Sequence, residues 1–131
     1  MCKSISIIST ILLLIVFISC DSYEFPHAPY PVAETNSVSD ITASNATFKA
    51  HISNYDNTSI IDHGFVWGKN PEHSVSSGKV IDLGIFQTNK GNFNATIEKT
   101  FSKDTTYYVR SYIKTTSLTI YGNSILFKGI E

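Results

Sequence analysis

The stretch GNFNATIEKTFSKDTTYYVRSYIKT, residues 91–115, decides the fold because it holds two runs in which apolar and polar residues alternate. One side of the first run consists of Phe93, Ala95 and Ile97, and one side of the second consists of Tyr107, Val109, Ser111 and Ile113. Successive side chains of a strand point to opposite faces, so each run predicts a strand with one buried face. Residues 101–104, between the two runs, predict a corner.

Further strands are predicted at residues 46–52, 61–67, 79–83 and 124–128. In residues 61–67 we expect Ile61 to share the core face with Phe65 and Trp67. Before residue 46, Val38 and Ile41 indicate a first strand that is interrupted by a break. Seven short strands, with turns about every dozen residues, predict an all-β chain folded as a two-sheet β-sandwich. The 131 residues leave room for one such domain, at 32–131.

Three segments follow one another in an order that is typical of a known family. They are GFVWGKNPE (64–72), residues 91–115 and YGNSILF (121–127). The chain resembles the fibronectin type III-like domains of surface lipoproteins from Bacteroides-type bacteria, which implies a seven-stranded immunoglobulin-like sandwich. Phe101 stands where the family has a corner leucine, and Lys103 stands where it has a proline. The positions that match the family pattern are Gly64, Trp67, Asn70, Pro71, Thr105, Tyr107, Tyr108, Val109, Arg110, Tyr112, Tyr121, Gly122, Asn123 and Phe127.

Two aromatic residues are predicted to serve the fold. Tyr107 begins a strand just after an Asp-Thr turn, where its ring can be buried while its hydroxyl bonds a nearby backbone group. This arrangement is the tyrosine corner of such sandwiches. Trp67 lies on the predicted core face of its strand.

The N-terminal segment reads as an export signal. Residues 5–18 are uncharged and mostly apolar, but they are shorter than the about 20 residues that a membrane span needs. The segment ends Phe17-Ile18-Ser19-Cys20 and then turns polar. This ending resembles the lipobox of bacterial lipoproteins, from which Phe17 departs because leucine is usual there. The resemblance implies a lipoprotein signal peptide at 1–19 and acyl chains, such as palmitate, on Cys20; the alternative is an uncleaved signal anchor.

Residues 20–31 would then form the tether of the lipoprotein. Residues 21–31 hold three prolines and no periodic pattern, which favours a semi-extended segment. The partners implied are a membrane, through the lipid on Cys20, and a glycan or protein outside it. The expected location is the cell envelope, with the lipid anchor in the outer membrane, on its surface or its periplasmic face.

Composition argues against several classes of partner and cofactor. Lys and Arg number 10 against 11 Asp and Glu, so the sequence offers no electrostatic basis for binding nucleic acid. Both cysteines, Cys2 and Cys20, lie in the N-terminal segment, which leaves no cysteine for a disulfide or a metal site in the domain. The four histidines form no short-spaced pair. No cofactor is predicted.

The sequence favours a protein that is not an enzyme. The acidic residues fall at turns and outward strand positions without paired spacing. Asp62 and His63 are neighbours, but adjacent residues of a strand point to opposite faces. No nucleophile elbow and no phosphate loop is present.

One predicted surface combines residue types that carry binding energy. The outward positions of residues 107–114 and of the last strand give a candidate binding face, with Val66 as an expected sheet neighbour on the same side. Alternatively, these residues cover one another as cross-strand pairs that stabilise the sheet. The residues of this candidate binding face are Tyr108, Arg110, Tyr112, Lys114 and Leu126.

Three functional hypotheses follow. The first is a non-catalytic, lipid-anchored binding or spacer module for glycan or protein capture. The second is a structural or adhesin-type assembly subunit that pairs through strand edges, at Leu126 and the Thr-rich residues 115–119. The third is a hydrolase accessory or small enzyme, which would need converging acids near Asp62 or Glu72.

Overall fold

The structure, a computed structural model, describes residues 30–87 and 90–130. The predicted signal peptide, Cys20 and most of the tether lie outside these residues. The described part forms seven strands: β1 (Val32–Ser39), β2 (Asn45–Ser53), β3 (Asp62–Gly68), β4 (Lys79–Asp82), β5 (Asn92–Glu98), β6 (Thr106–Lys114) and β7 (Thr119–Lys128). Within the described residues, no helix is long and apolar enough to cross a membrane.

The strands form two antiparallel sheets, with the orders β1-β2-β5 and β4-β3-β6-β7. The all-β prediction and the two-sheet arrangement are confirmed. Large and small side chains face each other across β2 and β5, where Phe48 pairs with Ala95 and Ala50 pairs with Phe93. Such alternation lets the inner faces of two sheets interdigitate, and the core between them is largely aromatic.

Three strand boundaries differ from the sequence-based expectation. Ile61 is 43% exposed while Ile60 is 5% exposed, because β3 begins only at Asp62 and the alternation does not extend before the strand. The break expected in the first strand is a register shift between Thr35 and Ser37, and Ile41 lies beyond the strand end. The last strand begins at Thr119, five residues before the predicted segment.

A polar link joins the two sheets where their edge strands β1 and β7 meet. The side-chain amide of Asn123 accepts a hydrogen bond from the Thr35 amide N–H (2.9 Å) and donates one to the Thr35 carbonyl (3.0 Å). The amide of Ser111, which lies at a register shift in β6, donates to Thr35 Oγ1 at 2.8 Å. An asparagine side chain therefore replaces a neighbouring strand for Thr35, and backbone groups freed by irregular pairing are satisfied.

The strand directions define two ends of the sandwich. The entry pole is the end where β1 begins, and it also holds Ser53, Asp62 and Lys114. The far pole holds Gly68, Lys79, Glu98 and Thr106, with the loop that joins β3 to β4 (residues 69–78) and the corner that joins β5 to β6 (residues 99–105). The poles are roughly 25–30 Å apart, the length of a nine-residue strand.

Candidate functional site

Two members of the candidate binding face present surface to solvent side by side. Tyr108 on β6 pairs with Leu126 on β7; Tyr108 is half-buried and Leu126 is 55% exposed. Lys114 is exposed, but it lies at the entry pole, at the other end of β6 from Tyr108. The binding role of the face stays a prediction, and its free apolar surface is the pair Tyr108 and Leu126.

Arg110 holds the β3–β4 loop against β7. Its Nε donates to the Gly122 carbonyl (3.1 Å) and its Nη1 donates to the His73 carbonyl (3.3 Å). The guanidinium lies 4.8 Å from the centroid of the Tyr121 ring and 3.8 Å from the carboxylate of Glu72. Because its donors are directed to backbone carbonyls, Arg110 serves the fold at this position.

The burial of Tyr112 and Val66 corrects the exposure expected for this face. Tyr112 points outward but is 1% exposed, and its hydroxyl donates to Asp62 Oδ2 at 2.9 Å. Val66 is fully buried, and a Cβ added at Gly78 would lie 2.4 Å from Val66 Cγ2. The β3–β4 loop therefore covers part of the sheet that the strand pattern alone predicts to be open.

The Thr-rich residues 115–119 do not form a free strand edge. They contain the turn between β6 and β7, in which Thr115 N–H donates to the Leu118 carbonyl (2.9 Å). Thr115 Oγ1 also accepts from the amides of Leu118 (3.1 Å) and Ser117 (3.3 Å). These backbone groups are paired within the turn, so this part of the edge-pairing hypothesis is wrong.

Tyr107 has the geometry of a tyrosine corner. Its ring is buried against Phe101, Phe127 and Trp67, and its hydroxyl oxygen accepts the amide N–H of Ser102 at 3.0 Å. The bond closes the β5–β6 corner onto the start of β6. Trp67 is also buried, with its ring packed edge-on against Phe101.

Replacing Tyr107 by phenylalanine is expected to lower the free energy of unfolding by about 1 kcal/mol, because the Ser102 amide loses its acceptor. Urea denaturation followed by tryptophan fluorescence measures the change. Tyr55→Phe is the matched control, since no hydrogen bond of its hydroxyl occurs within the described residues, and its change should stay within a few tenths of a kcal/mol. Equal urea midpoints for Tyr107→Phe and wild type would show that the hydrogen bond between Ser102 and Tyr107 does not stabilise the domain.

A pair of carboxyl groups lies at the entry pole beside Tyr112. Burial raises the pKa of Asp62 above its ordinary value, a hydrogen bond with Asp82 raises it further, and the Tyr112 hydroxyl opposes this. The hydrogen bond from Asp62 lowers the pKa of Asp82, and the Gly84 amide, 2.7 Å from Asp82 Oδ1, lowers it further. The second oxygen of Asp62, Oδ1, is buried, and no hydrogen-bond donor reaches it within the described residues. The two carboxyl groups are therefore best accommodated when Asp62 is protonated and Asp82 is ionised, because Asp62 can then donate a hydrogen bond to Asp82. This proton is called the shared proton.

Asp62→Asn is expected to stabilise the domain at neutral pH. A carboxyl whose pKa is raised by folding contributes stability at low pH and loses it as the pH rises through the folded pKa, whereas the amide keeps a donor for Asp82 at every pH. The gain of the variant over wild type should thus grow from about pH 4 to about pH 7.5.

Urea midpoints at both pH values measure this gain. Asp56→Asn, at an exposed turn residue, controls for the general loss of one negative charge. A gain for Asp62→Asn that is the same at both pH values would contradict the shared proton.

A cleft of about 610 Å³ opens at the far pole, between the β3–β4 loop and the β5–β6 corner. Tyr107 and Trp67 reach it from the core, and neither Asp62 nor Glu72 lines it. Its lining residues are Trp67, Gly68, Lys69, His73, Ser77, Gly78, Lys79, Lys99, Thr100, Ser102 and Tyr107. This far-pole cleft is distinct from the candidate binding face.

The far-pole cleft is positively charged. Lys69, Lys79 and Lys99 line it, and none of its lining residues carries a carboxyl group. Burial raises the pKa of the Tyr107 hydroxyl, but the hydrogen bond from Ser102 and the charges of Lys69 and Lys99 lower it by more, so the net shift is downward. The two lysines therefore act on the same point of the cleft.

One wall of the far-pole cleft is built around His73. A Cβ added at Gly68 would lie 2.1 Å from His73 Nε2, and one added at Gly78 would lie 3.0 Å from His73 Cβ, so the side chain packs tightly between two glycines. His73 Nε2 accepts the amide N–H of Asn70 at 3.0 Å. The hydrogen bond from Arg110 to the His73 carbonyl holds the same wall against β6.

Sequence reasoning missed the lysines of the far-pole cleft. They lie ten and twenty residues apart and follow no motif, so no local pattern marks them. Only Trp67, paired with Lys79 across β3 and β4, and Tyr107 were singled out beforehand, and both for the fold. Among residues 30–87 and 90–130, no group of three or more His, Cys, Asp or Glu side chains is placed to hold a metal ion.

The two packed sheets define a β-sandwich domain. Comparison with solved structures finds the same fold. No protein-family model and no curated protein sequence matches the chain. The chain is similar to the sensor domain of the anti-sigma factor RsgI4 from Pseudobacteroides cellulosolvens, with 20% identity and a TM-score of 0.60 over 79% of this chain and 96% of that one.

Two further structures show the same likeness. A solution structure of the RsgI4 sensor domain matches with 16% identity and a TM-score of 0.55 over 77% of this chain and 76% of that one. A myokine matches with 15% identity and a TM-score of 0.50 over 80% of this chain and all of that one. At these identities the likeness shows the fold alone.

Proposed function

We propose that the chain is a non-catalytic binding module, displayed from the cell envelope by a lipid on Cys20. The observation that carries this proposal is that the chain enters the domain at one end and the cleft opens at the opposite end. The chain enters the sandwich at the entry pole, where Val32 pairs with Ser53, while the far-pole cleft opens at the other end. An anchor that precedes β1 would leave the cleft facing away from the membrane.

The length of the predicted tether suits this arrangement. Residues 20–31 would span at most about 40 Å when extended, which is enough to hold the sandwich clear of a membrane surface. The last of its prolines, Pro31, is buried at the entry pole, and the Asn54 side chain donates to the carbonyl of Tyr30 at 2.9 Å. The end of the tether is thus attached to the domain, which favours a fixed orientation over free rotation.

Two comparisons support a binding role of the fibronectin type III-like kind. The sheet orders, three strands against four, agree with the resemblance drawn from the sequence. One of the similar structures is the sensor domain of an anti-sigma factor. We extend this role to the present chain as a proposal, with a glycan or a protein as the ligand.

Intact mass spectrometry of the protein purified from membranes, beside a Cys20→Ala variant, tests the anchoring. We expect a mass that starts at Cys20 and includes an acylated glycerol, and we expect the variant to lack this modification. A full-length mass that retains Met1 would mean an uncleaved signal anchor. Display of the domain by a lipid would then be wrong.

Glycan-array and pull-down experiments with the full chain in detergent test the binding. Ligand retention by a Tyr108→Ala/Leu126→Ala variant would direct attention to the far-pole cleft, and loss would favour the candidate binding face. The absence of any retained glycan or protein would reduce the module to a spacer.

A second candidate function is an assembly subunit that pairs through a strand edge. Strand β4 is at the edge of its sheet, and Val80, Leu83 and Ile85 on it and just after it are exposed. Exposed apolar edges favour strand addition from a neighbour. Size-exclusion chromatography with light scattering tests this candidate, since a strict monomer at high concentration would exclude self-assembly, and Val80→Lys should abolish any oligomer.

A further inference from the structure

We infer that the far-pole cleft binds an acidic sugar, that is, a saccharide bearing carboxylate or sulfate groups. This inference rests on the proposed binding function and names its ligand class and its site. It does not involve the candidate binding face around Tyr108 and Leu126.

The size and position of the cleft suit a ligand of one to three sugar rings. Small-molecule sites are clefts of about 300–1,000 Å³, and the far-pole cleft, at about 610 Å³, falls within this range. Its walls are the tightly packed β3–β4 loop and the β5–β6 corner closed by the Tyr107–Ser102 bond. A cleft between two internally bonded walls loses little entropy when a ligand enters.

The charge of the cleft selects an anion. Three of the ten Lys and Arg residues line it, although the whole chain has a net charge of −1. Within the described part of the chain, none of the three lysines forms an ion pair. Like charges placed together without partners repel one another, and an anion bound between them removes this repulsion.

The need to prevent an edge strand from pairing with another chain explains the position of only one of the three lysines. Lys79 begins the edge strand β4, where lysine commonly discourages pairing with another chain. Lys69 and Lys99 lie on different connections, yet both line the cleft, and the charges of both lower the pKa of the Tyr107 hydroxyl. Two connections that are 30 residues apart thus bring positive charge to one point of the cleft.

The remaining lining residues favour a sugar as the carrier of the charge. Ser77, Thr100 and Ser102 supply hydroxyl groups, which both donate to and accept from the hydroxyls of a saccharide. Trp67 and Tyr107 are the aromatic residues among the lining, and aromatic rings offer apolar surface against which a sugar ring can pack. A nucleic acid is disfavoured because the chain as a whole carries no excess of basic residues, with 10 Lys and Arg against 11 Asp and Glu.

Isothermal titration calorimetry with the full chain in detergent tests the inference, using trigalacturonate and a sulfated disaccharide as probes and galactotriose as the uncharged control. We expect at least one acidic probe to bind and galactotriose to bind at least about tenfold more weakly, because the lysine charges act only on the acidic probes. Lys69→Gln and Lys99→Gln should each weaken binding about three- to fivefold, and Lys99→Arg should restore most of it. Raising the salt concentration should weaken binding further by screening.

Lys49→Gln is the matched control, since it removes the same charge from an exposed position on β2 in the other sheet. The inference is overturned if neither acidic probe binds at about 10 mM, if galactotriose binds equally well, or if Lys49→Gln weakens binding as much as Lys69→Gln. Inorganic sulfate that competes as strongly as the sulfated disaccharide would show a bare anion site and would equally overturn the sugar assignment. If a neutral glycan or a protein binds while all acidic probes fail, the binding function stands and this inference alone is wrong.

Discussion

Replacing Phe48 by alanine is expected to lower the free energy of unfolding by about 4 kcal/mol. Phe48 is fully buried on β2, and its ring centroid lies 5.6 Å from those of Phe65 and Phe127, which belong to the other sheet. Removing this ring leaves a cavity between two sheets whose inner faces are held apart by their own backbone pairing. The cavity cannot collapse without breaking strand pairs, so the cost lies well above that of lost apolar burial alone.

Urea denaturation followed by circular dichroism measures this loss. Phe86→Ala is the matched control, because Phe86 is half-buried in the connection after β4 and its removal should cost about 1 kcal/mol. If Phe48→Ala fails to fold, Phe48→Leu should still fold with a loss of about 1–2 kcal/mol, since most of the volume is kept. Equal losses for Phe48→Ala and Phe86→Ala would contradict the central position of Phe48.

Gly122→Ala is expected to cost about 3 kcal/mol, at the upper end for overpacking a core site. An added Cβ would lie 2.2 Å from Ser111 Oγ, 2.9 Å from Thr35 Oγ1 and 3.2 Å from the Ala33 carbonyl. These atoms are not free to move, because Thr35 Oγ1 accepts the Ser111 amide and the Ser111 hydroxyl lies 3.0 Å from it. The methyl group would therefore force β7 away from β1 and strain the Asn123 bonds to Thr35.

A double variant separates this steric effect from a general weakness of β7. Ser111→Ala removes the oxygen nearest to the added methyl group, so Ser111→Ala/Gly122→Ala should be less destabilised than the sum of the two single variants by about 1 kcal/mol or more. Strict additivity would mean that the clash with Ser111 is not the cause. The single variant Ser111→Ala should itself cost about 1 kcal/mol, through the lost hydrogen bond to Thr35.

The strand pattern could be predicted because it depends on neighbouring residues. Alternation in residues 91–115 located β5 and β6 nearly to the residue, and the corner between them placed the Tyr107 hydroxyl within reach of Ser102, five residues away. Where the pattern was extended beyond a strand end, as at Ile61, it was wrong, because period two holds only while the backbone stays extended.

The candidate binding face shows why the solvent exposure of a side chain was harder to predict than the face of the sheet to which it points. Tyr112 and Val66 point outward as the alternation requires, yet both are buried. The end of the β3–β4 loop covers Val66, and the ring of Tyr112 lies against Gly64 on the neighbouring strand. Such contacts join residues that are far apart in sequence. Leu126, which no loop covers, was predicted correctly as exposed.

The sequence by itself determined the all-β class, the seven strands and the local corner at Tyr107, because alternation and turn chemistry act over a few residues. The tertiary structure alone decided the link from Asn123 to Thr35, which are 88 residues apart, and the meeting of Lys69, Lys79 and Lys99 in the far-pole cleft. Both arise from the packing of one sheet on the other, which places distant segments side by side. Residues that meet in this way carry no shared pattern along the chain, and so their common role becomes visible only once the sandwich is formed.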